Sequence, residues 1–321
     1  MINHLVLVIV VIIFLIRQIT SEEPLSPSEI NILSHEVISP LTPQSVWNAF
    51  YNISRIPRPS YDEGKPLGNL DQIQKYLESF SDQNKLVHNK DKLGNILIHI
   101  PSNINNSIVV VVLQCHMDMV PAKEEGYNYD FMKYPTYLVR ESDDWVKAYK
   151  TTLGADDGMG CAVMNALAVE RNMFSHGDIL LLYTVDEETG MRGVKGLGYG
   201  SLLYPYLAKA KYYLNLDSED WGIQTIGSAG GQTSYISTQV RYVPNNFDVT
   251  FSLVINGLKG GHSGIDIINE GANSIKQLSC IFNEWDNKKI LFSINDINAG
   301  EKRNSIPRMA KVDVSFFYQR L

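Results

Sequence analysis

The sequence predicts an α/β protein with a mostly parallel β-sheet covered by helices, together with a smaller α+β domain. Three observations lead to this prediction. The chain has 321 residues, which is enough for about two domains of ~100–200 residues each. Short apolar runs rich in β-branched residues alternate with helical patterns between residues 95 and 216. The pattern then changes to one of separated strands near residue 230.

The first 41 residues are predicted to precede the folded domains. Residues 5–16, LVLVIVVIIFLI, are too short for a spanning helix, which needs ~18 residues or more, but have the length of a signal-peptide core. We therefore expect a signal peptide over 1–20 and a secretory, extracellular or lysosome-like location. A short membrane anchor is the alternative, and a chain with neither would be cytoplasmic. Residues 21–41, rich in Ser, Pro and Glu, predict a linker.

The first domain is predicted over 42–229. Two amphipathic helices open it, because apolar residues recur at helical spacing after Thr42 and again over 73–80. Strands are predicted at 95–100, 108–113, 179–185 and 211–216, with a helix at 159–171. The second domain, 230–321, is predicted to contain strands at 233–240, 249–255, 290–294 and 311–317 and a helix at 273–285.

Composition and missing motifs exclude several classes of protein. Lys and Arg total 28 against 35 Asp and Glu, a net charge of −7, so we expect no nucleic-acid partner. The three cysteines form no Cys-x-x-Cys pair, which argues against a disulfide framework or a zinc ribbon. The sequence contains no phosphate-binding P-loop, no Gly-x-Ser-x-Gly elbow and no His-Glu-x-x-His motif.

Side chains that can bind metal fall where strands end or where a helix begins. These clusters are His116 with Asp118, Asp156 with Asp157, Asp186 with Glu187 and Glu188, and Asp217. Because ligands of open α/β sheets bind outside the carboxyl ends of the strands, we expect the four clusters to converge. One imidazole with several carboxylates suits Zn²⁺ or Mn²⁺, and the surplus negative charge suits two ions better than one.

Two local spacings indicate which residues of this site would bind metal, orient a ligand or act as a base. His116 and Asp118 face the same side of an extended chain, so the carboxylate can accept the second ring N–H and orient the imidazole. The adjacent Glu187 and Glu188 should point differently, so that one binds metal and the other acts as a general base.

Four motifs together resemble those of the aminoacyl-histidine (Xaa-His) dipeptidases. These enzymes belong to the wider group of two-zinc aminoacylases and glutamate carboxypeptidase-type metallopeptidases. The motifs are CHMDMV at 115–120, TLGADDGMG at 152–160, DEETG at 186–190 and NLDSE at 215–219. The resemblance extends from about Thr42 to the last residue and implies zinc-dependent hydrolysis of dipeptides of the carnosine type.

The resemblance also implies a role for each site residue. His116, Asp156 and Asp217 would surround one zinc ion, and Asp156 would bridge to a second ion bound by Glu188. Mn²⁺ or Co²⁺ are expected substitutes. Asp118 would orient His116. Glu187 would be the general base that takes a proton from the attacking water and returns it to the leaving amine.

The second domain resembles the lid that this family inserts into its catalytic domain. LKGGHSG at 258–264 implies that His262 reaches a substrate carbonyl. RNSIPR at 303–308 implies that Asn304 helps to hold the terminal carboxylate of the substrate. The resemblance further implies a homodimer contact on the lid.

The sequence departs from the family at its end. In these enzymes the chain returns to the catalytic domain after the lid and supplies a further histidine to the second zinc. This sequence stops at Leu321, so we expect both domains to be incomplete and the second zinc to lack that ligand. We interpret the sequence as a fragment of a longer dipeptidase. An N-acyl amino acid amidohydrolase with the same site and a truncated, non-catalytic peptide-binding homologue are the alternatives.

Overall fold

The computed structural model describes residues 22–60, 70–142, 145–218, 222–228, 230, 232, 234–269, 271–300 and 304–317. The chain divides into two compact units, Met1–Ile226 and Gly227–Leu321, whereas the sequence predicted a boundary at 230. The predicted signal peptide lies outside the described residues. Within the described part of the chain, no helix is both long enough and apolar enough to cross a membrane.

The first unit consists of a sheet with helices on its faces and a separate pair of antiparallel strands. Its helices are α1 (Pro27–Ile38), α2 (Gln44–Ser54), α3 (Asp71–Gln83), α4 (Ala155–Glu170), α5 (Arg192–Lys195) and α6 (Tyr204–Leu207), with a 3-10 turn at Arg171–Met173. Its strands are β1 (Val87–Lys90), β2 (Ile96–Ile100), β3 (Val110–His116), β4 (Leu138–Ser142), β5 (Trp145–Ala148), β6 (Asp178–Thr184) and β7 (Tyr212–Asn215).

Helix α1 corrects the prediction of a linker over 21–41. Ser26 and Glu29 form a capping box, in which each side chain bonds to the backbone N–H of the other residue. Ile30 and Ile38 are fully buried on one side of the helix. The capping signal was present in the sequence, but polar residues interrupt the apolar stripe and hide its period. The two helices predicted after Thr42 are confirmed as α2 and α3.

The central sheet has the strand order β1-β2-β6-β3-β7. Strand β3 runs parallel to both β6 and β7. Strand β2 is antiparallel to β6, and β1 is antiparallel to β2. The predicted α/β class is therefore confirmed, and the sheet is mixed: parallel where the candidate site lies and antiparallel at the opposite edge.

Both faces of the sheet are covered at its inner strands, whereas every residue of the edge strand β7 is exposed. Cys115, Leu181 and Tyr183 belong to a large core shared with helices α2, α3 and α4. Leu180 and Leu182 point to the other face, where they contact a smaller cluster beneath α6. Burial on both faces explains why these strands are continuous apolar runs, and each fully buried aliphatic side chain stabilises the fold by about 1.5–3 kcal/mol.

In the residues described, the second unit is a three-stranded antiparallel sheet with one helix. Its elements are β8 (Val249–Ile255), a 3-10 turn (Ile265–Ile268), α7 (Ser274–Asn287), β9 (Phe292–Ala299) and β10 (Ala310–Phe316), and the strand order is β8-β10-β9. Leu278, Phe282 and Trp285 of α7 pack on the central strand β10. Asn273 caps the helix by accepting two backbone N–H groups.

One predicted strand of the second unit is wrong. The described residues of 233–240 have no regular structure. Tyr235 and Ile236 are 89% and 94% exposed. A β-branched and aromatic composition favours a strand only where a neighbouring strand can pair with it. The other predicted strands and the helix of this unit are confirmed within a few residues.

Candidate metal centre

His116 ends strand β3 and lies at the centre of the candidate site. Its side chain is 1% exposed. Nε2 lies 2.8 Å from Oδ1 of Asp156 and 3.8 Å from Oδ2 of Asp217. Nδ1 lies 3.0 Å from the carbonyl oxygen of Asp118 and 3.3 Å from Oδ1 of the same residue. The ring therefore has one nitrogen directed at the carboxylates and the other held by Asp118.

Asp118 connects the ends of β3 and β6. It is fully buried, and its Oδ1 accepts the backbone N–H of Glu187 at 3.1 Å. Burial alone would raise the pKa of this carboxyl, but His116 and the Glu187 N–H outweigh burial and lower the pKa. Asp118 is therefore held as a carboxylate that fixes a ring on one strand end and a backbone position on another.

The two aspartates before α4 have different surroundings. Asp156 is about half exposed and faces His116, whereas Asp157 is buried. Oδ2 of Asp157 accepts the His116 backbone N–H at 3.2 Å, and Oδ1 accepts the Gly160 N–H at 3.0 Å. A Cβ at Gly160 would lie 2.2 Å from that Oδ1, so glycine leaves room for the carboxylate. Burial raises the pKa of Asp157 to about 7.

The backbone around Glu187 and Glu188 is positioned by a buried asparagine. Asn95 accepts the N–H of Val185 at 3.1 Å and donates to the carbonyl of Gly193 at 3.0 Å, which closes the loop after β6. Both glutamates are only partly buried. Burial raises the pKa of Glu187. Burial and the charge of Asp156 raise the pKa of Glu188 to about 7.

A chain of side-chain hydrogen bonds joins the ends of the three parallel strands. Gln114 of β3 donates to Oγ1 of Thr184 on β6 at 3.1 Å and accepts from Asn215 of β7 at 2.6 Å. Oδ1 of Asn215 in turn accepts the backbone N–H of Asp217 at 3.2 Å. This chain of bonds fixes the position of Asp217 relative to the strand that carries His116.

The donor atoms fit a metal ion. Two groups of three donors lie within 4.8 Å of one another among the described residues: His116, Asp156 and Glu188, and His116, Asp157 and Asp217. Donors of a tetrahedral zinc site, each about 2.0–2.2 Å from the ion, lie about 3.3–3.6 Å apart. The 2.8 and 3.8 Å separations around His116 Nε2 are close to that spacing.

The charge balance of the site points the same way. Burial opposes protonation of His116, but its bonds to Asp118 and Asp156 outweigh burial and raise its pKa to about 11. The carboxylates around this ring therefore favour positive charge at the ring, and a metal ion would supply more of it than a proton does.

Of the predicted site residues in the first unit, His116, Asp118, Asp156, Glu188 and Asp217 are brought together at the carboxyl edge of the parallel strands. Glu187 belongs to neither donor group found in the described residues, but its backbone is bound to Asp118.

The two predicted residues of the second unit, His262 and Asn304, lie in adjacent turns. The carbonyl of Asn304 accepts the N–H of Ser263 at 2.9 Å. Nδ1 of His262 accepts the N–H groups of Gly264 and Ile265 at 3.1 and 3.2 Å. A ring nitrogen that accepts two hydrogen bonds carries no proton, so the ring proton is on Nε2.

Sequence reasoning missed the residues that hold the site in place. Gln114, Asn95 and Asn215 are polar residues within or beside strands, and no local pattern marks them as partners of distant loops. The sequence marks Asp157 only as one of a pair of adjacent aspartates. Its bond to the His116 backbone spans 41 positions of the chain and is set by the packing of α4 on β3.

A sheet whose parallel strands end in a histidine and several converging carboxylates is the arrangement of a candidate metal centre in an α/β fold. Residues 95–267, more than half of the chain, match peptidase family M28. The chain belongs to that family.

Two relatives illustrate the similarity. The chain is 37% identical over 276 residues to the cytosol non-specific dipeptidase of Escherichia coli strain K12, covering 85% of this chain and 53% of that protein. It is 31% identical to the aminoacylhistidine dipeptidase of Vibrio alginolyticus, whose crystal structure it matches with a TM-score of 0.55 over 88% of this chain and 55% of that one. The resemblance predicted from the motifs is confirmed, and the chain spans about half the length of these relatives.

Proposed function

We propose that this chain carries the catalytic residues of a metal-dependent dipeptidase that hydrolyses short peptides, Xaa-His dipeptides among them. The observation that carries the proposal is the convergence of His116, Asp156, Glu188 and Asp217 from four separate segments. The similarity to two relatives named as dipeptidases supports the choice of substrate class.

The proposed metal is zinc, with Mn²⁺ or Co²⁺ as substitutes. His116, Asp156 and Asp217 would hold one ion, and Asp156 and Glu188 would hold the second. Two such ions would lower the pKa of a shared water and polarise the scissile carbonyl. Loading the site requires His116 to release its Nε2 proton and Glu188 to be ionised, so metal binding would release protons.

Glu187 is the proposed general base. Its backbone is fixed by the carboxylate of Asp118, and burial raises its pKa above that of an ordinary glutamate. A carboxylate whose pKa lies closer to neutrality takes a proton from water and gives it back more readily. Glu187 would accept the proton of the attacking water and then deliver it to the amine that leaves as the peptide bond breaks.

Asp118 would keep His116 in place, since it holds Nδ1 from both its carbonyl and its carboxylate. For His262 and Asn304 we propose contacts with the substrate, as the motif resemblance implies. The proton on Nε2 of His262 suits donation to a carbonyl oxygen. The amide of Asn304 suits donation to a terminal carboxylate.

The test is made on the purified full chain. Zinc content is measured by elemental analysis after dialysis, and hydrolysis is assayed on Xaa-His dipeptides, other dipeptides and N-acetyl amino acids. We expect bound zinc and cleavage of dipeptides. Cleavage of N-acetyl amino acids alone would replace the proposal with an amidohydrolase. Zinc binding without hydrolysis of either substrate would support the non-catalytic peptide-binding alternative.

A further inference from the structure

The side chain of Arg58 is buried beside the metal centre although it carries a charge. It is 2% exposed. Nη1 donates to the carbonyl oxygens of Met117 and Asp118, at 3.1 Å each. Nη2 donates to the carbonyl oxygen of Gly154. One guanidinium thus joins the loop after β3, which follows His116 and contains Asp118, to the loop before α4, which leads to Asp156.

The backbone of Arg58 is fixed to the first of these loops as well. Its carbonyl accepts the N–H of Met119 at 3.0 Å, and the N–H of Ser60 donates to the carbonyl of Met119 at 2.8 Å. The planar guanidinium therefore starts from a fixed anchor and reaches the second loop with little freedom.

The first turn of α4 leaves space for this group. A Cβ at Gly158 would lie 2.5 Å from Nη2 of Arg58 and 3.3 Å from Cε2 of Phe50. Glycine in a helix is less favourable than alanine. Gly158 therefore weakens the helix slightly but leaves room for the side chain of Arg58.

The buried guanidinium of Arg58 is bonded to backbone carbonyl oxygens. Removing a guanidinium from water is costly unless its donors are satisfied. Here the three bonds described go to neutral carbonyl oxygens of two loops, and the charges of Asp118 and Asp157 favour the protonated guanidinium. The guanidinium is thus bonded both to the residues that follow His116 and to the loop that precedes Asp156.

We propose that Arg58 is a positioning residue of the metal centre, which holds the loop after β3 and the loop before α4 at the separation that a metal ion requires. The inference rests on the proposed metallopeptidase function. A lysine at this position keeps the charge, but its single nitrogen lacks the planar fork that spans the three carbonyls.

The experiment measures the zinc dissociation constant of the full chain by competition with a chromophoric chelator, for the parent, Arg58→Lys and Arg55→Lys. Arg55 is an exposed residue over the ring of Tyr51 and is the matched control. We expect Arg58→Lys to weaken zinc binding by about 10–100-fold, the usual effect of removing a partner that orients ligands. Arg55→Lys should leave zinc binding unchanged.

Folding is followed separately, by circular dichroism and by the thermal midpoint in chelator. A role in stability alone would lower the midpoint and leave the zinc affinity of the folded protein at the parental value, and that result overturns the inference. A parent chain that binds no zinc would instead overturn the proposed function itself.

A second variant tests the same contact without removing the arginine. Gly158→Ala should displace the guanidinium and weaken zinc binding, although alanine favours the helix. If the methyl group acts through Arg58, the double variant should bind zinc no more weakly than Arg58→Lys alone. Independent, additive losses would overturn the inference. Should Arg58→Lys fail to fold, normal zinc binding by Gly158→Ala would overturn it, and weakened binding would support it.

Discussion

The ends of β3 and β6 hold their side chains in different ways, although both supply candidate donors. At the end of β3, His116 and Asp118 are buried and bonded to each other. At the end of β6, Asn95 fixes the backbone of the loop, while Glu187 and Glu188 stay partly exposed. The side chains at the β3 end are thus held by bonds to each other, whereas those at the β6 end have raised pKa values, and a cation would favour their ionised forms.

The largest effect that separates the two ends is expected from Glu187→Gln. The amide cannot accept a proton, so kcat on a dipeptide should fall by about 10²–10⁴-fold, the usual contribution of a general base. Zinc affinity should not change, because Glu187 belongs to neither donor group. Elemental analysis and steady-state kinetics on the same sample measure both, with the exposed Glu36→Gln as control. If Glu187→Gln lowers both the zinc content and kcat, Glu187 is a metal ligand, and the comparison of the two strand ends fails.

The next effect concerns the arrangement of the β3 end. Asp118→Asn keeps the shape of the side chain and an oxygen that can accept the Glu187 N–H, but it removes the charge beside His116. We expect zinc affinity to fall by about 10–100-fold, measured by chelator competition. Unchanged affinity would mean that the carbonyl of Asp118 is enough to hold the ring, and that the buried carboxylate serves another purpose.

A smaller effect should appear in the pH dependence of stability at the β6 end. The pKa of Glu188 is raised from 4.5 to about 7, so the native chain binds more protons than the unfolded chain between these values. The stability that protonation of Glu188 gives is complete below pH 4.5 and is lost as the pH rises through about 7. We expect the thermal midpoint in chelator to fall over this window. Glu188→Gln should remove only part of the fall, because the pKa of Asp157 is also raised to about 7.

Carboxylates with lowered pKa values act in the opposite direction, but only at lower pH. Asp118 and Asp156 stabilise the fold above their ordinary pKa, and that contribution is lost on acidification. Zinc should reverse the Glu188 effect, because an ion at the site favours the ionised carboxylate. If the thermal midpoints of Glu188→Gln and of the parent depend on pH in the same way in chelator, the pKa of Glu188 is not raised in the native chain.

The same contrast explains what could be predicted from the sequence. Donor residues such as His116 and Glu188 were found because each follows an apolar run, and parallel strands end at a common edge. Supporting residues such as Arg58 and Asn95 escaped because their partners are backbone atoms more than 50 positions away. Such contacts follow from the three-dimensional packing of loops and leave no periodic mark on the chain.

The smallest expected effect concerns the reactivity of the cysteine thiols, and it tests whether the end of β3 is closed to solvent. Cys115 directly precedes His116, and its Sγ lies 3.0 Å from the Sγ of Cys161. Both cysteines are at most 1% exposed. Burial also raises the pKa of Cys115 well above its usual value, so little reactive thiolate forms. Cys280 of the second unit is exposed.

A thiol reagent should therefore label Cys280 rapidly in the native chain. It should reach Cys115 and Cys161 only after denaturation, as peptide mapping by mass spectrometry would show. Rapid native labelling of Cys115 would mean that the β3 end opens on the timescale of the reagent, and its donors would then be no better held than those of β6.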